Sequence, residues 1–311
     1  MAEKIATRAS YGKALVELGA ENPDIVVLDA DLSGSTQTKK FADVYPDRFF
    51  NAGIAEANMM GMAAGLAVSG KTVFASSFAM FASGRAYEII RNSIGYPQAN
   101  VKICASHAGV TVGEDGASHQ CIEDLSLMRG IPGMVVLNPA DDVSARALIK
   151  AAAAYKGPVY VRLGRAAVPV VYEEGTAFEI GKAKRVKEGK DACIIATGIM
   201  LDKAMQAADI LAAEGIEVRI VDMHTIKPLD KEEVLAAAKE CGCIVTAEEH
   251  SVIGGLGSAV AEAVCGEAPC KVKMIGVQDV FGQSGKPDEL LKLYGMTAED
   301  IAEAVRSMKC K

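Results

Sequence analysis

The sequence predicts an α/β protein of two domains, each a mainly parallel sheet flanked by helices, and three observations carry that prediction. Helix-like segments alternate with short apolar runs along the whole chain. The runs are rich in β-branched residues and apolar at successive positions, which suits strands covered on both faces. The alternation breaks once, between Ala166 and Lys190, and then restarts. With 311 residues, the chain is long enough for two domains of roughly 150 residues each.

In the first domain, residues 1–165, Arg8 to Leu18 reads as a helix and Ile25 to Asp29 as a buried strand. Ile54 to Val68 is a helix with small residues on several faces, Thr72 to Ala75 a strand and Arg85 to Ser93 a helix. Val101 to Ala105 is a strand, Gln120 to Met128 a helix, Met134 to Leu137 a strand, Asp141 to Ala154 a helix and Pro158 to Leu163 the last strand. Residues 166–184 read as a linker, because Pro169, Glu173-Glu174-Gly175 and the start of a charged run replace the apolar pattern. In the second domain, residues 185–311, the strands are Ala192 to Ala196, Glu217 to Asp222, Cys243 to Thr246 and Lys271 to Val277. Asp202 to Ala213, Lys231 to Glu240 and the glycine-led Gly257 to Val264 are helices, and two more helices close the chain.

Lys plus Arg number 33 and Asp plus Glu 40, a net charge of −7, and no basic block stands out. That balance argues against a nucleic-acid partner. The longest apolar stretch, Met59 to Val68, is interrupted by glycines and too short to span a bilayer. The opening Met-Ala-Glu-Lys lacks the apolar run of a secretory signal. Cysteines stand at 104, 121, 193, 241, 243, 265, 270 and 310, with no C-x-x-C pair. A core of this size needs no disulfide staples, so the expectation is reduced thiols in a cytoplasmic protein with no membrane partner.

The segment dense in chemistry is Ser106 to Gln120, which gathers His107, Glu114, Asp115 and His119 among glycines. It follows a predicted strand, so it should lie at a strand's carboxyl end, where open α/β sheets place ligands. No Cys/His pair there has zinc-ligand spacing, and a hydroxyl-rich or phosphorylated ligand fits better. A solvated loop with incidental histidines is the plain alternative. Glu56 opens a helix rich in alanine and glycine, where the helix dipole alone would favour a carboxylate. Phe78 and Phe81 lie three apart in a connection of small residues, a ligand platform or simply core. Arg8 starts the first helix and Arg165 follows the last strand; their forks suit phosphates, though isolated arginines are mostly solvated. Gly254-Gly255-Leu256-Gly257 before a helix has the look of a phosphate cradle, with a structural turn as the plainer reading. Cys241-Gly242-Cys243 reads as a turn into a buried strand, and His224 and His250 stand in no motif.

Taken together these segments resemble transketolase, in its pyrimidine-binding (central) and C-terminal domains. The run His107 to Gln120 is close to the family's pattern T/S-H-(x)4-G-x-G-E-D-G-x-T/S-H-Q. It is joined in order by Ala6-Thr-Arg8, Asp29-Ala-Asp-Leu-Ser33, Gly53-Ile-Ala-Glu56, Ser77-Phe-Ala-Met-Phe81, Asn138-Pro-Ala-Asp141 and Arg162-Leu-Gly-Arg165. The resemblance spans essentially the whole chain. It implies the thiamin diphosphate-binding fold, with Glu56 on the aminopyrimidine ring nitrogen, Phe78 and Phe81 packed on the ring, and Asp31 near the cofactor at a subunit interface. It also implies His107 and His119 on the donor sugar's hydroxyls and in proton movement. Asp115 would accept from a hydroxyl near C2, and Arg8, Ser35 and Arg165 would hold the distal phosphate.

In transketolases a G-D-G segment followed by Asn holds the diphosphate and metal. Here the only such string, Glu114-Asp-Gly116, lies inside the sugar-binding motif, and no metal segment follows it. The resemblance therefore implies one subunit of a split transketolase, the C-terminal section. Thiamine diphosphate with Mg2+ or Ca2+ would be held mainly by an N-terminal partner subunit, in a heterotetramer of two plus two chains acting on sugar phosphates. Other readings are a 2-oxo acid enzyme of the same architecture, such as an E1 β subunit or deoxyxylulose-phosphate synthase, and a non-catalytic regulatory chain. The chain departs from the family at Ala108, often Asp, which reads sugar stereochemistry, and at Gly84, where many members carry a third aromatic.

Overall fold

The computed structural model describes residues 3–308; Cys310 and the first two residues of the N-terminal tetrapeptide lie outside them. The first half contributes β1 (Lys4–Ala6), β2 (Ile25–Asp29), β3 (Phe49–Asn51), β4 (Thr72–Phe78), β5 (Val101–Ser106), β6 (Val135–Leu137) and β7 (Val159–Arg162). The second contributes β8 (Ala167–Pro169), β9 (Lys184–Lys187), β10 (Ala192–Ala196), β11 (Val218–Asp222), β12 (Thr225–Lys227), β13 (Cys243–Ser251) and β14 (Lys271–Val277).

The larger sheet has the order β12-β6-β7-β5-β4-β2-β3, parallel except for β12, and the smaller the order β14-β13-β10-β11-β9, parallel except for β9. Every residue of β2, β4, β5, β7 and β10 is buried, as parallel strands under two helical layers require. On one face of the larger sheet, helices Thr7–Glu21 and Asp142–Ala154 pack Tyr11, Leu15 and Leu148 against Val27 and Phe74. On the other, Met59 and Met60 of helix Glu56–Val68 join an apolar cluster that continues through Met128 and Tyr160 to Val234 and Leu256 of the second domain. The two domains thus share a core.

Helix starts follow local chemistry. The Asp141 carboxylate accepts from the Ser144 N–H at 2.8 Å, with Ser144 reaching back to the Asp141 N–H at 3.0 Å, a capping box. Gly242 ends helix Lys231–Cys241 at φ 74°, the left-handed position glycine takes most easily, and it turns the chain into β13. The Gly254–Gly257 segment is filled by the protein itself: Glu248 Oε2 and Oε1 accept from the N–H groups of Leu256 and Gly257 at 2.7 and 2.8 Å. Its role is structural.

Several elements differ from the pattern. The helix expected from Gln120 begins at Asp124, because Gln120 Nε2 is drawn back to the carbonyls of Val110 and Gly113, both at 3.1 Å. The helix expected over Arg85 to Ser93 is a longer helical stretch with two wide π-type turns, Met80–Arg85 and Ile90–Gly95. β13 runs past Thr246 to Ser251, since Glu248, Glu249 and His250 are buried polar residues that an apolar pattern cannot reveal. The linker is partly ordered into sheet: β8 pairs antiparallel with β1, and β12, from beyond it, closes the edge of the first domain's sheet. No helix among the described residues is long and apolar enough to cross a membrane.

At the start of helix Asp124–Arg129, two residues of β7 meet the Asp124 carboxylate: Arg162 Nε donates to both Asp124 oxygens, at 2.9 and 3.2 Å, and Tyr160 Oη donates to Asp124 Oδ2 at 2.8 Å. The Asp124 side chain is 0% exposed and that of Arg162 4%. Asp124→Ala would strand a buried guanidinium and should cost about 3–5 kcal/mol. Urea unfolding measures this, and a loss below about 1 kcal/mol would contradict the pairing.

Candidate active site

The adjacent strands β7, β5, β4 and β2 run parallel, so their carboxyl ends deliver Arg165, His107, Phe78 and Asp31 to one rim. At β2, buried Asp29 accepts from the Leu32 N–H and Thr36 Oγ1, both at 2.6 Å, and from Thr38 Oγ1 at 2.8 Å. These bonds fold the turn that carries Asp31 and Ser35. Burial nonetheless pushes the Asp29 carboxyl above its ordinary range, the three donors opposing it. Asp31 sits at φ 63°, and Asn51 clamps it from β3, donating to Asp31 Oδ1 at 2.9 Å and accepting its N–H at 3.1 Å.

His107 directly follows β5, at φ 58°, a left-handed backbone that costs a non-glycine residue of order 1–3 kcal/mol. Its ring stacks on Phe78 at 3.8 Å and 27°, while Nδ1 lies 2.9 Å from Ser106 Oγ and Nε2 3.5 Å from Arg8 Nη1. An arginine N–H facing Nε2 calls for the tautomer with its proton on Nδ1, donating to Ser106. Phe81 lies 6.0 Å from Phe78, and His119 meets Phe81 edge-on at 5.3 Å and 77°. Ser118 Oγ is 3.0 Å from His119 Nδ1.

Two guanidinium groups face the same spot. Arg8 donates to the Ser35 carbonyl at 2.7 Å, so Ser35 enters this contact through its backbone. Arg165 donates to the Val112 carbonyl and lies 3.4 Å from Glu114 Oε2 and 3.9 Å from Asp115 Oδ2. Burial, then the Arg165 charge, lowers the pKa of Arg8. Burial above all, then the charges of Arg8 and Arg165, pushes the His107 imidazole down to about 3. A neutral imidazole in a positive field suits a hydroxyl-bearing, anionic ligand.

Glu56, 2% exposed, opens helix Glu56–Val68. Its Oε2 accepts from Arg85 Nη1 at 3.1 Å, and the Arg85 guanidinium lies 5.0 Å over the Phe81 ring. Arg85 is the residue that sequence reasoning missed. Its spacing four beyond Phe81 in a helical segment was the available signal. At Gly84 a Cβ would meet only the flexible end of the Met80 side chain, Cε at 2.2 Å; with glycine there, Met80 occupies that space and Arg85 covers Phe81. A cleft of about 520 Å³ lined by Met80, Phe81, Arg85, Ser118, Gln120 and Phe281 opens beside them, within the range of small-molecule sites.

The structure thus brings together Arg8, Ser35, His107, Asp115 and Arg165, and beside them Phe78, Phe81 and His119, with Glu56 joined to Phe81 through Arg85. Asp31 shares the Ser35 turn, but its own bonds run to Asn51. His224 and His250 lie elsewhere in buried surroundings: His224 meets Phe178 edge-on and His250 Nε2 accepts from the Leu125 N–H at 3.1 Å. Among the described residues no group of three His, Cys, Asp or Glu side chains could hold a metal ion. Because burial and two arginines hold His107 neutral, its ring proton shift followed by NMR should stay flat between about pH 8 and 5. A midpoint above about 6 would contradict this geometry.

Comparison with known proteins agrees with this geometry along the chain. Residues 3–170 match the transketolase pyrimidine-binding domain and residues 181–301 the transketolase C-terminal domain. A Methanocaldococcus jannaschii protein, provisionally named a transketolase C-terminal section, is 56% identical over 96% of this chain and 94% of its own length. A Clostridium protein named as a 6-deoxy-6-sulfo-D-fructose transketolase subunit is 42% identical over 97% of this chain and 94% of its own length. A solved structure of a split-gene transketolase, an inactive β4 tetramer, superposes with a TM-score of 0.91 at 56% identity, covering 99% of this chain and all of that one. The chain belongs to the transketolase family, and within it is the C-terminal section of a split transketolase, a pyrimidine-binding domain followed by a C-terminal domain.

Proposed function

We propose that this subunit works in a thiamine diphosphate-dependent transketolase that moves a two-carbon ketol unit from a ketose phosphate to an aldose phosphate, as in the pentose phosphate pathway of the cytoplasm. A partner chain would hold the diphosphate and its Mg2+ or Ca2+, in a heterotetramer of two chains of each kind. The observation that carries this reading is one rim where Arg8 lies 3.5 Å from the His107 ring stacked on Phe78, beside Phe81, with Arg165 held at Val112 and Asp115 of the same loop. Two relatives known as separate sections or subunits, and a related β-only tetramer that is inactive, support the need for a partner.

The residues present fit the cofactor's pyrimidine half: a buried carboxylate, Glu56, is linked through Arg85 to Phe81, and Phe81 and Arg85 line an open cleft. Glu56 would accept from the aminopyrimidine, Phe78 and Phe81 would pack on its ring, and Asp31 would lie at its edge across the subunit interface. When bound, thiamine diphosphate supplies the carbanion chemistry for breaking a ketose C2–C3 bond. His107 and His119 hydrogen-bond the donor's first hydroxyls and hold or pass their protons. Asp115 accepts from a hydroxyl near C2. Arg8, with the Ser35 turn, and Arg165 take the terminal phosphate, orienting the chain of hydroxyls past the imidazoles. The same cationic pair would take a terminal sulfonate, the group in the name of the Clostridium relative, so the donor's anionic end is a point on which members of this family differ.

Ketol transfer from xylulose 5-phosphate to ribose 5-phosphate, with thiamine diphosphate and Mg2+, should appear only when the partner chain is added. Activity of this chain alone would overturn the split assignment, and turnover of pyruvate but no ketose phosphate would favour a 2-oxo acid enzyme. Arg165→Ala should raise KM for phosphorylated sugars about tenfold to a hundredfold, with much less effect on unphosphorylated ones. Equal losses on both substrate types would remove Arg165 from phosphate binding.

A further inference from the structure

The second domain supplies none of the imidazoles or arginines of the site, yet it holds the site loop near both ends. Near the His107 end stands Glu249 of β13, 2% exposed, whose Oε1 accepts from the Thr111 N–H at 2.5 Å. The carboxylate lies flush against the loop backbone: Gly109 has φ 81°, and a Cβ there would sit 2.3 Å from Glu249 Cδ. The Glu249 carbonyl accepts from Arg162 Nη2 at 2.8 Å, and the same nitrogen reaches the Cys121 carbonyl at 3.4 Å. Gly109 N–H ends on that Cys121 carbonyl at 2.8 Å, so the loop is cinched where Glu249 touches it. At the other end Gln120 Nε2 donates to the Gln283 carbonyl of the second domain at 2.9 Å, with Gly282 so close that a Cβ would overlap Gln120 Oε1.

Between these two holds lie Asp115 and His119, and His107 is two residues before Gly109. A non-glycine residue in the left-handed region persists only where its surroundings over-determine it, and His107 is such a residue. Ser106 and Phe78 orient its ring, but neither restrains the backbone that follows. Within the first domain the Ala108 N–H donates to the Leu163 carbonyl at 3.4 Å and the Gly109 N–H to the Cys121 carbonyl at 2.8 Å; the second domain adds the hold on the next stretch, at Thr111. A buried acid is costly unless its oxygens are used, and Glu249 spends one of them on a loop amide.

We propose that Glu249 is a positioning residue for ketol transfer: its carboxylate holds the 109–111 backbone, and through it the strained His107, so that the second domain sets the aim of the imidazole on the substrate. The proposal takes the role of His107 from the function proposed above. It gives the C-terminal domain a part in the reaction that no motif of its own reveals.

Two variants and two readouts test it. In the isolated chain, Glu249→Ala should speed hydrogen exchange of the Thr111 amide by about tenfold or more while the amide of Ile194, central in the second sheet, keeps its protection. With the partner chain, thiamine diphosphate and Mg2+ present, the same variant should lower kcat about tenfold with KM for thiamine diphosphate unchanged. Glu249→Gln, whose amide oxygen still accepts from Thr111, should restore the exchange protection and most of kcat. Wild-type protection of Thr111 in Glu249→Ala, or a loosened loop with unchanged kcat, overturns the proposal. So does loss of Ile194 protection in both variants, which would make the acid merely structural. If the unsubstituted pair transfers no ketol unit, the proposed function fails, and a Thr111 amide loosened only by Glu249→Ala still supports the hold on the loop.

Discussion

A guanidinium buried between the domains is the constraint on which much of this structure depends. Arg162 is 4% exposed, and a charge in that position must be paired and hydrogen-bonded or it unfolds its surroundings. Its Nε takes the Asp124 carboxylate at 2.9 Å, and its Nη2 takes the carbonyls of Glu249 and Cys121. Those partners are, respectively, the start of a helix, the inner end of the second domain's long strand and the far end of the site loop. One side chain thereby sets three elements against each other. His250 adds to it from the second domain, with Nε2 accepting the Leu125 N–H that opens the same helix. A fully satisfied buried network of this kind tolerates few alternative arrangements.

The charge pattern at the site runs against that of the whole chain. The protein is net acidic at −7, yet Arg8 lies 3.5 Å from the His107 imidazole and the charge of Arg165 acts on both. Surface acids disperse over the exterior, whereas two arginines on the rim focus their field where the strands end. Glu114 and Asp115 answer Arg165 only across 3.4 and 3.9 Å from partly exposed positions, weak pairs that an incoming phosphate can outcompete.

Buried titratable groups elsewhere act in opposition. Burial pushes Asp222, Glu248 and Glu249 up to about 7. The folded state therefore binds more protons than the unfolded chain above about pH 4.5, and their contribution to stability falls as pH rises toward 7. Burial pushes His224 and His250 down to about 4, so the unfolded chain binds more protons there, and their contribution grows as pH rises from about 4 to 6.5. Between about pH 4.5 and 6.5 the two sets work against each other, which flattens the dependence of stability on pH.

Local sequence alone determined a good part of this protein. Ile25–Asp29 is a strand because five successive residues are fit for burial on both faces, and Asp142–Ala154 is a helix because Asp141 and Ser144 cap it. The paired-histidine loop, the two phenylalanines and the two arginines were legible because their residue types are uncommon in that spacing and follow predicted strands. Arg85 was not, since its meaning lies in reaching Glu56, 29 residues away. Nor were β12, which completes a sheet begun in the other domain, and Glu249, a charged residue inside a strand whose partner Thr111 is 138 residues distant. Periodicity and capping report on neighbours in sequence, within a turn or a strand. Which chain segment supplies the counter-charge, the missing strand or the acid beneath the site loop is decided only when packing brings distant residues within hydrogen-bond reach.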